Sequence, residues 1–188
     1  WTGRPAAQHG ITGYEMWMKE YGVIANMILH TPITFRNDAG SLERAGFEPE
    51  KYLPFPTLAA HLGQQGIHTY AMQHHSIAHS GLSKMLLKQA DIHTFSTAAD
   101  LWINLRKMIE QKPEQRSYSW VYWSEVDHFS HLFGPDDERT AAEFSQFSRA
   151  MQQFFLERLS PALRKDTLLI LTADHGQITT HLDPSYEL

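Results

Sequence analysis

The chain has 188 residues, with 42% hydrophobic, 12% aromatic and 20% charged side chains, which places it in the globular range and excludes disordered, collagen-like and low-complexity architectures. Sixteen Lys and Arg against 21 Asp and Glu give a net charge of −5, and the cations are scattered, so tracking along a nucleic-acid polymer is not expected. There is no Cys, which removes disulfides, thiolate zinc sites and cysteine nucleophiles, and no apolar run nears the roughly 18–20 residues of a membrane-spanning helix.

Turn signals at Thr2-Gly3, Pro5, His9-Gly10 and Gly13 open the chain. Two apolar-aromatic stretches follow, residues 14–21 and 23–29, read as extended or short helical pieces, and residues 37–41 read as a loop. A helix is expected from Thr57, with Leu58, Ala59 and Leu62 on one face and an end between Gly63 and Gly66. Residues 67–72 read as a strand, residues 74–80 as a histidine-rich loop, and Leu82 with Met85, Leu86 and Leu87 as one or two helical turns. Thr97 and Asp100 resemble a capping box for a helix carrying Leu101, Leu105, Met108 and Ile109 up to Gln111. Residues 117–123 are aromatic and β-branched and read as a strand. Asp136 and Asp137 offer caps for a helix whose core face is Phe144, Phe147, Met151, Phe154 and Phe155, and residues 168–172 close the pattern as an almost wholly apolar strand.

Strands that are apolar on both faces and alternate with helices predict an α/β fold, a mainly parallel sheet with helices on both faces. No repeat or linker divides the chain, so residues 1–188 are expected to form a single α/β domain.

In open parallel sheets, ligands bind beyond the carboxyl ends of the strands. Asp127 and His131 follow the strand at 117–123, and Asp174, His175 and Gly176 follow the one at 168–172. Spacing i, i+4 puts Asp127 and His131 on one side of a helical turn, within reach of one cation. Asp174 and His175 are neighbours, so sharing a cation requires the backbone to turn, and Gly176 is the residue that would permit it. If both strands lie in one sheet, the two pairs share its edge. Four ligands mixing carboxylate with imidazole suit zinc or manganese bound for hydrolysis, while a single Asp-x-x-x-His on its own is more often a surface pair.

Three blocks resemble the type I phosphodiesterase and nucleotide pyrophosphatase family of the alkaline phosphatase superfamily: Thr2-Gly3-Arg4-Pro5 through Gln8-His9-Gly10-Ile11, then Asp127-x-x-x-His131-x-x-Gly134-Pro135, then Leu171-Thr172-Ala173-Asp174-His175-Gly176. The resemblance implies an alkaline-phosphatase-like fold and hydrolysis of a small phosphodiester or nucleotide substrate by two-metal in-line displacement. Two divalent ions, zinc or manganese, are implied, with Asp127 and His131 on one and Asp174 and His175 on the other. It also places the nucleophilic hydroxyl and a further metal-binding Asp upstream of Trp1, and a last metal-binding His well downstream of Asp174-His175-Gly176. On that expectation the 188 residues are an internal fragment of a larger catalytic domain, which alone binds metal poorly and turns over little. Thr12-Gly13-Tyr14 stand where many members carry a phosphate-contacting Asn, so that contact is not expected here.

Cofactor-independent phosphomutases and sulfatases resemble the same superfamily, but Gly134-Pro135 and the Thr-Gly to His-Gly-Ile block favour the diesterases. An inactive sub-domain is the non-catalytic alternative. His74, His75 and His79 lack an accompanying acid and read as loop or rim histidines, and His9 reads as a partner of its own loop. His181 follows the second motif too closely to be the distant histidine, and His128 is placed to hydrogen-bond a ligand carboxylate. Trp120 and Tyr122 read as packed, Trp123 as the candidate substrate contact.

Overall fold

A computed structural model describes residues 1–35 and 38–179. The expectations for His181 and for part of the 37–41 loop fall outside the described residues. The chain divides into two compact units, one of Trp1–Phe95 with Glu114–Tyr122, the other of Ser96–Pro113 with Trp123 onward.

The first unit begins with a short helix, α1 (Ala6–His9), ended by Gly10 in the left-handed region at φ 77°. The stretches at 14–21 and 23–29 fold as an antiparallel meander of β1 (Glu15–Met18), β2 (Val23–Asn26) and β3 (Thr31–Pro32). Met16 pairs with Ala25 and Met18 with Val23 on one face; Met18 and Ala25 join Met27, Leu42 and Phe47 in a buried cluster. Trp17 pairs with Ile24 on the other face, and both are exposed. A 3-10 turn (Ile33–Phe35), α2 (Ser41–Arg44) and α3 (Pro49–Tyr52) follow, so Ser41 is helical where a loop was expected.

Helix α4 (Leu58–Gln64) starts where expected, because Thr57 Oγ1 accepts from the Ala60 amide at 3.3 Å. After it come β4 (His68–His74), α5 (Gly81–Leu86), β5 (Asp91–Phe95) and β6 (Ser117–Val121). These strands form a parallel sheet in the order β5-β4-β6, with Ala71 opposite Ile92 and Trp120. Tyr70, Ala71 and Met72 of the central strand are buried, as a strand covered on both faces requires. Strand β5 had no counterpart in the sequence reading, since Asp91, His93 and Thr94 leave it without an apolar run. Trp120 stacks on Tyr122 at 5.8 Å and meets the edge of Trp1 at 5.2 Å, in keeping with a packing role.

The second unit is helical: α6 (Ala98–Gln111), α7 (Glu125–Phe133), α8 (Glu138–Met151), a π-helical turn (Gln152–Leu156) and α9 (Pro161–Asp166). Thr97 caps the helix as expected, its Oγ1 accepting from the Asp100 amide at 3.2 Å, while Asp100 Oδ2 reaches back one residue further than a capping box requires and accepts from the Ser96 amide at 3.0 Å. Trp102 is buried against Phe147 and Phe155, with ring centroids 5.3 and 5.4 Å away. The expected stripe on α8 is corrected in two places. Phe144 is exposed, and the π turn rotates the chain so that Phe155, not Phe154, enters the core.

The fold is therefore α/β with a parallel three-stranded sheet, but the expectation of a mainly parallel fold is only partly met, because the second sheet is antiparallel. Residues 168–172 form no strand, and Leu168 is 83% and Ile170 76% exposed. A strand is held by its ladder, and this run has no ladder partner among the described residues.

Candidate functional site

Helix α7 carries the first motif. Glu125 and Asp127 sit in its first turn and His131 in its last, which matches acidic and basic side chains to the two ends of the helix dipole. Its end is set by Gly134, at φ 98° and ψ 152°, whose amide bonds the Ser130 carbonyl at 2.9 Å. A side chain there would be strained, which gives the Gly of Gly134-Pro135 a physical reason. The chain then enters α8 through Asp137, whose Oδ1 accepts from the Arg139 amide at 2.9 Å. The hydrogen-bonded Arg139 guanidinium and that amide hold the Asp137 carboxyl down to about 2, so this cap stays charged through ordinary acidity. On α8, burial followed by the charge of Glu125 pushes the Glu143 carboxyl up.

The second motif lies in the extended segment after α9. The backbone bends at Asp174, and Gly176 is not among the left-handed glycines, so the turn expected at Gly176 occurs two residues earlier. Asp174 Oδ1 accepts from the His175 amide at 3.1 Å. His175 Nδ1 lies 3.1 Å from the Gly176 carbonyl, which accepts only from a protonated nitrogen; the neutral ring then carries its lone pair on Nε2.

The four residues singled out from the sequence lie close together although the two motifs do not end strands of one sheet. Asp127 Oδ1 is 3.4 Å from His131 Nε2 and 3.9 Å from His175 Nε2, and His175 Nε2 is 3.7 Å from Asp174 Oδ2. Two tetrahedral donors on one ion with bonds of about 2.1 Å stand about 3.4 Å apart, so the Asp127–His131 pair has the donor chemistry and spacing of a shared cation. All four side chains are between 40% and 74% exposed. Among the described residues no group of three or more His, Asp or Glu is arranged to hold a metal ion. The Asp174 and His175 donors stand 3.7 Å apart, and the four side chains close no cage among the described residues.

Two residues absent from the sequence reading tie the motifs together. Gln177 Nε2 donates to Asp127 Oδ1 at 2.5 Å, and Thr179 Oγ1 donates to Asp136 Oδ2 at 2.6 Å. Nothing in the periodicity singles them out; their nearness to Asp174-His175 is the only signal. Gln177 takes the place foreseen for His128, which is exposed with its ring against Phe129.

The remaining candidates separate from this group. Trp123 stacks on Phe147 at 5.3 Å, within the helical core of its unit. His9 Nδ1 accepts from the Ile11 amide at 3.1 Å, as a loop partner does. His74 bonds the Ser76 hydroxyl at 2.8 Å and lies 4.2 Å from the ring of His75.

A family model for type I phosphodiesterase / nucleotide pyrophosphatase matches residues 1–187. No curated protein and no solved structure matches the chain. The match takes in all three motif blocks, and the chain belongs to the type I phosphodiesterase and nucleotide pyrophosphatase family.

Proposed function

We propose that this protein is a metal-dependent hydrolase of phosphodiester or pyrophosphate bonds in small, nucleotide-like substrates. In this reading Asp127 and His131 hold one divalent ion, zinc or manganese, and Asp174 and His175 hold the other. The observation that carries it is the approach of these four side chains within 3.4–3.9 Å along a chain of pairs in a member of this family.

Electrostatics supports the same reading. A phosphodiester is an anion, and two carboxylates would repel it unless cations lay between them. Bound divalent ions supply Lewis-acid stabilisation of the charge that builds on the phosphoryl oxygens. The side chains have separate tasks. Asp127, oriented by Gln177, and Asp174, oriented by the His175 amide, present carboxylate oxygens; His175, its Nδ1 proton engaged by Gly176, presents the Nε2 lone pair. Helix α7 fixes the Asp127–His131 spacing before any ion binds, which reduces the ordering needed on binding. No hydroxyl of the chain is assigned as nucleophile; that of Thr2, at the head of the first block, accepts from the Arg4 amide at 3.3 Å.

The test is hydrolysis of bis(4-nitrophenyl) phosphate by the protein as its gene encodes it, before and after chelation. The expected result is loss of turnover on chelation and recovery with zinc or manganese. Sugar-phosphate mutase turnover without diesterase activity would replace this reading.

A further inference from the structure

His30 is completely buried, with a left-handed φ of 50°, at the turn joining β2 to β3. Three segments meet there. The Ile28 carbonyl accepts from the Leu82 amide at the start of α5, the Leu29 carbonyl from Gly40, and the His30 carbonyl from Leu42 in α2. The imidazole packs edge-on to Phe47 at 4.9 Å and lies directly on Gly81, where a Cβ would stand 2.3 Å from the ring atoms Cγ and Nδ1. Nδ1 lies 3.2 Å from Glu43 Oε1, while the buried Nε2 has no hydrogen-bond partner among the described residues. Lys84 Nζ competes for the same carboxylate, 3.6 Å from Glu43 Oε2.

A neutral ring suits this pocket, since it needs one partner and Glu43 provides it. An imidazolium would bring a second N–H that faces no acceptor among the described residues and a charge facing Glu43, a carboxylate already shared with Lys84. We propose that His30 is an acid-sensitive latch: neutral, it pins the β2–β3 turn against α2 and α5, and once protonated it leaves its pocket and releases that turn. Burial, and more weakly the charge of Lys84, holds the histidine below its ordinary 6.5 against the opposing pull of Glu43. The unfolded or released ring therefore binds the proton more readily than the buried one. The latch is fully closed above about pH 6.5 and weakens as pH falls below it.

Amide hydrogen exchange read by NMR from pH 8 to pH 5 tests this, with rates corrected for intrinsic exchange. The opening constant at the Leu82 and Leu42 amides is expected to rise about tenfold per pH unit below the point where the released ring titrates, with no matching change at Ala71 in β4. His30→Phe is expected to flatten that dependence. If that variant does not fold, variants of the two charged groups beside the ring give the same information: Lys84→Met is expected to reduce the total acid-induced opening and Glu43→Gln to enlarge it. Opening at Leu82 and Leu42 that is independent of pH in the wild type, or a pH dependence that neither of these variants alters, would overturn the proposal.

Discussion

Gln177 is the residue on which the geometry of the proposed site turns, because its amide holds the carboxylate that stands between His131 and His175. Groups that orient a ligand without touching the ion commonly contribute about 10–100-fold to its affinity. Gln177→Leu is accordingly expected to weaken zinc or manganese binding by about tenfold in a competition titration, with an unchanged circular dichroism spectrum. Gly134 shows the same precision in the backbone: at φ 98° it ends α7 three residues after His131 and lets Asp137 cap α8. Gly134 belongs to a motif that the sequence displays, whereas Gln177 lies one residue beyond Asp174-His175-Gly176, and only Gly134 could be singled out. A glycine's role is local, whereas Gln177 meets Asp127 across 50 residues of chain.

At the scale of elements, α6, α8 and the π turn gather around Trp102, which is 2% exposed and whose indole N–H has no partner among the described residues. Removing the ring by Trp102→Ala is expected to destabilise the protein by about 3–5 kcal/mol in urea titration. Trp102→Phe is expected to retain most of that stability, because it keeps the aromatic contacts with Phe147 and Phe155 while deleting an unsatisfied donor. The helices were legible where a cap marked them, as at Thr57, Thr97 and Asp137, since each cap bonds an amide two or three residues away. Sheet structure was less legible. Residues 168–172 have the composition of a buried strand, but pairing is a property of two segments, and Leu168, Leu169, Ile170 and Leu171 are all exposed. Strand β5 is the converse, a polar segment made into a strand by its parallel register with β4. The exposed run predicts binding of the dye ANS, and Leu169→Lys with Ile170→Lys is expected to reduce that fluorescence severalfold; unchanged fluorescence would mean that another apolar surface, such as Trp17 with Ile24, binds the dye.

For the whole molecule, the family match runs through both compact units, while the four proposed metal ligands belong to one of them. The block from Thr2 to Ile11 belongs to the other, where α1 and its left-handed Gly10 shape it. Family membership and an α/β architecture with a parallel sheet were readable from three short blocks and the alternation of elements, because both depend on residue types at fixed spacing. The approach of Asp127 to His175 was not, because it depends on the course of the segment after α9. Whether these four side chains hold divalent ions used in phosphodiester hydrolysis is decided by assaying bis(4-nitrophenyl) phosphate cleavage and bound metal together in the wild type and in Asp174→Ala. The substitution is expected to lower kcat by at least about a hundredfold and the metal content with it. Full activity in Asp174→Ala, persisting after chelation, would contradict that role for the four side chains.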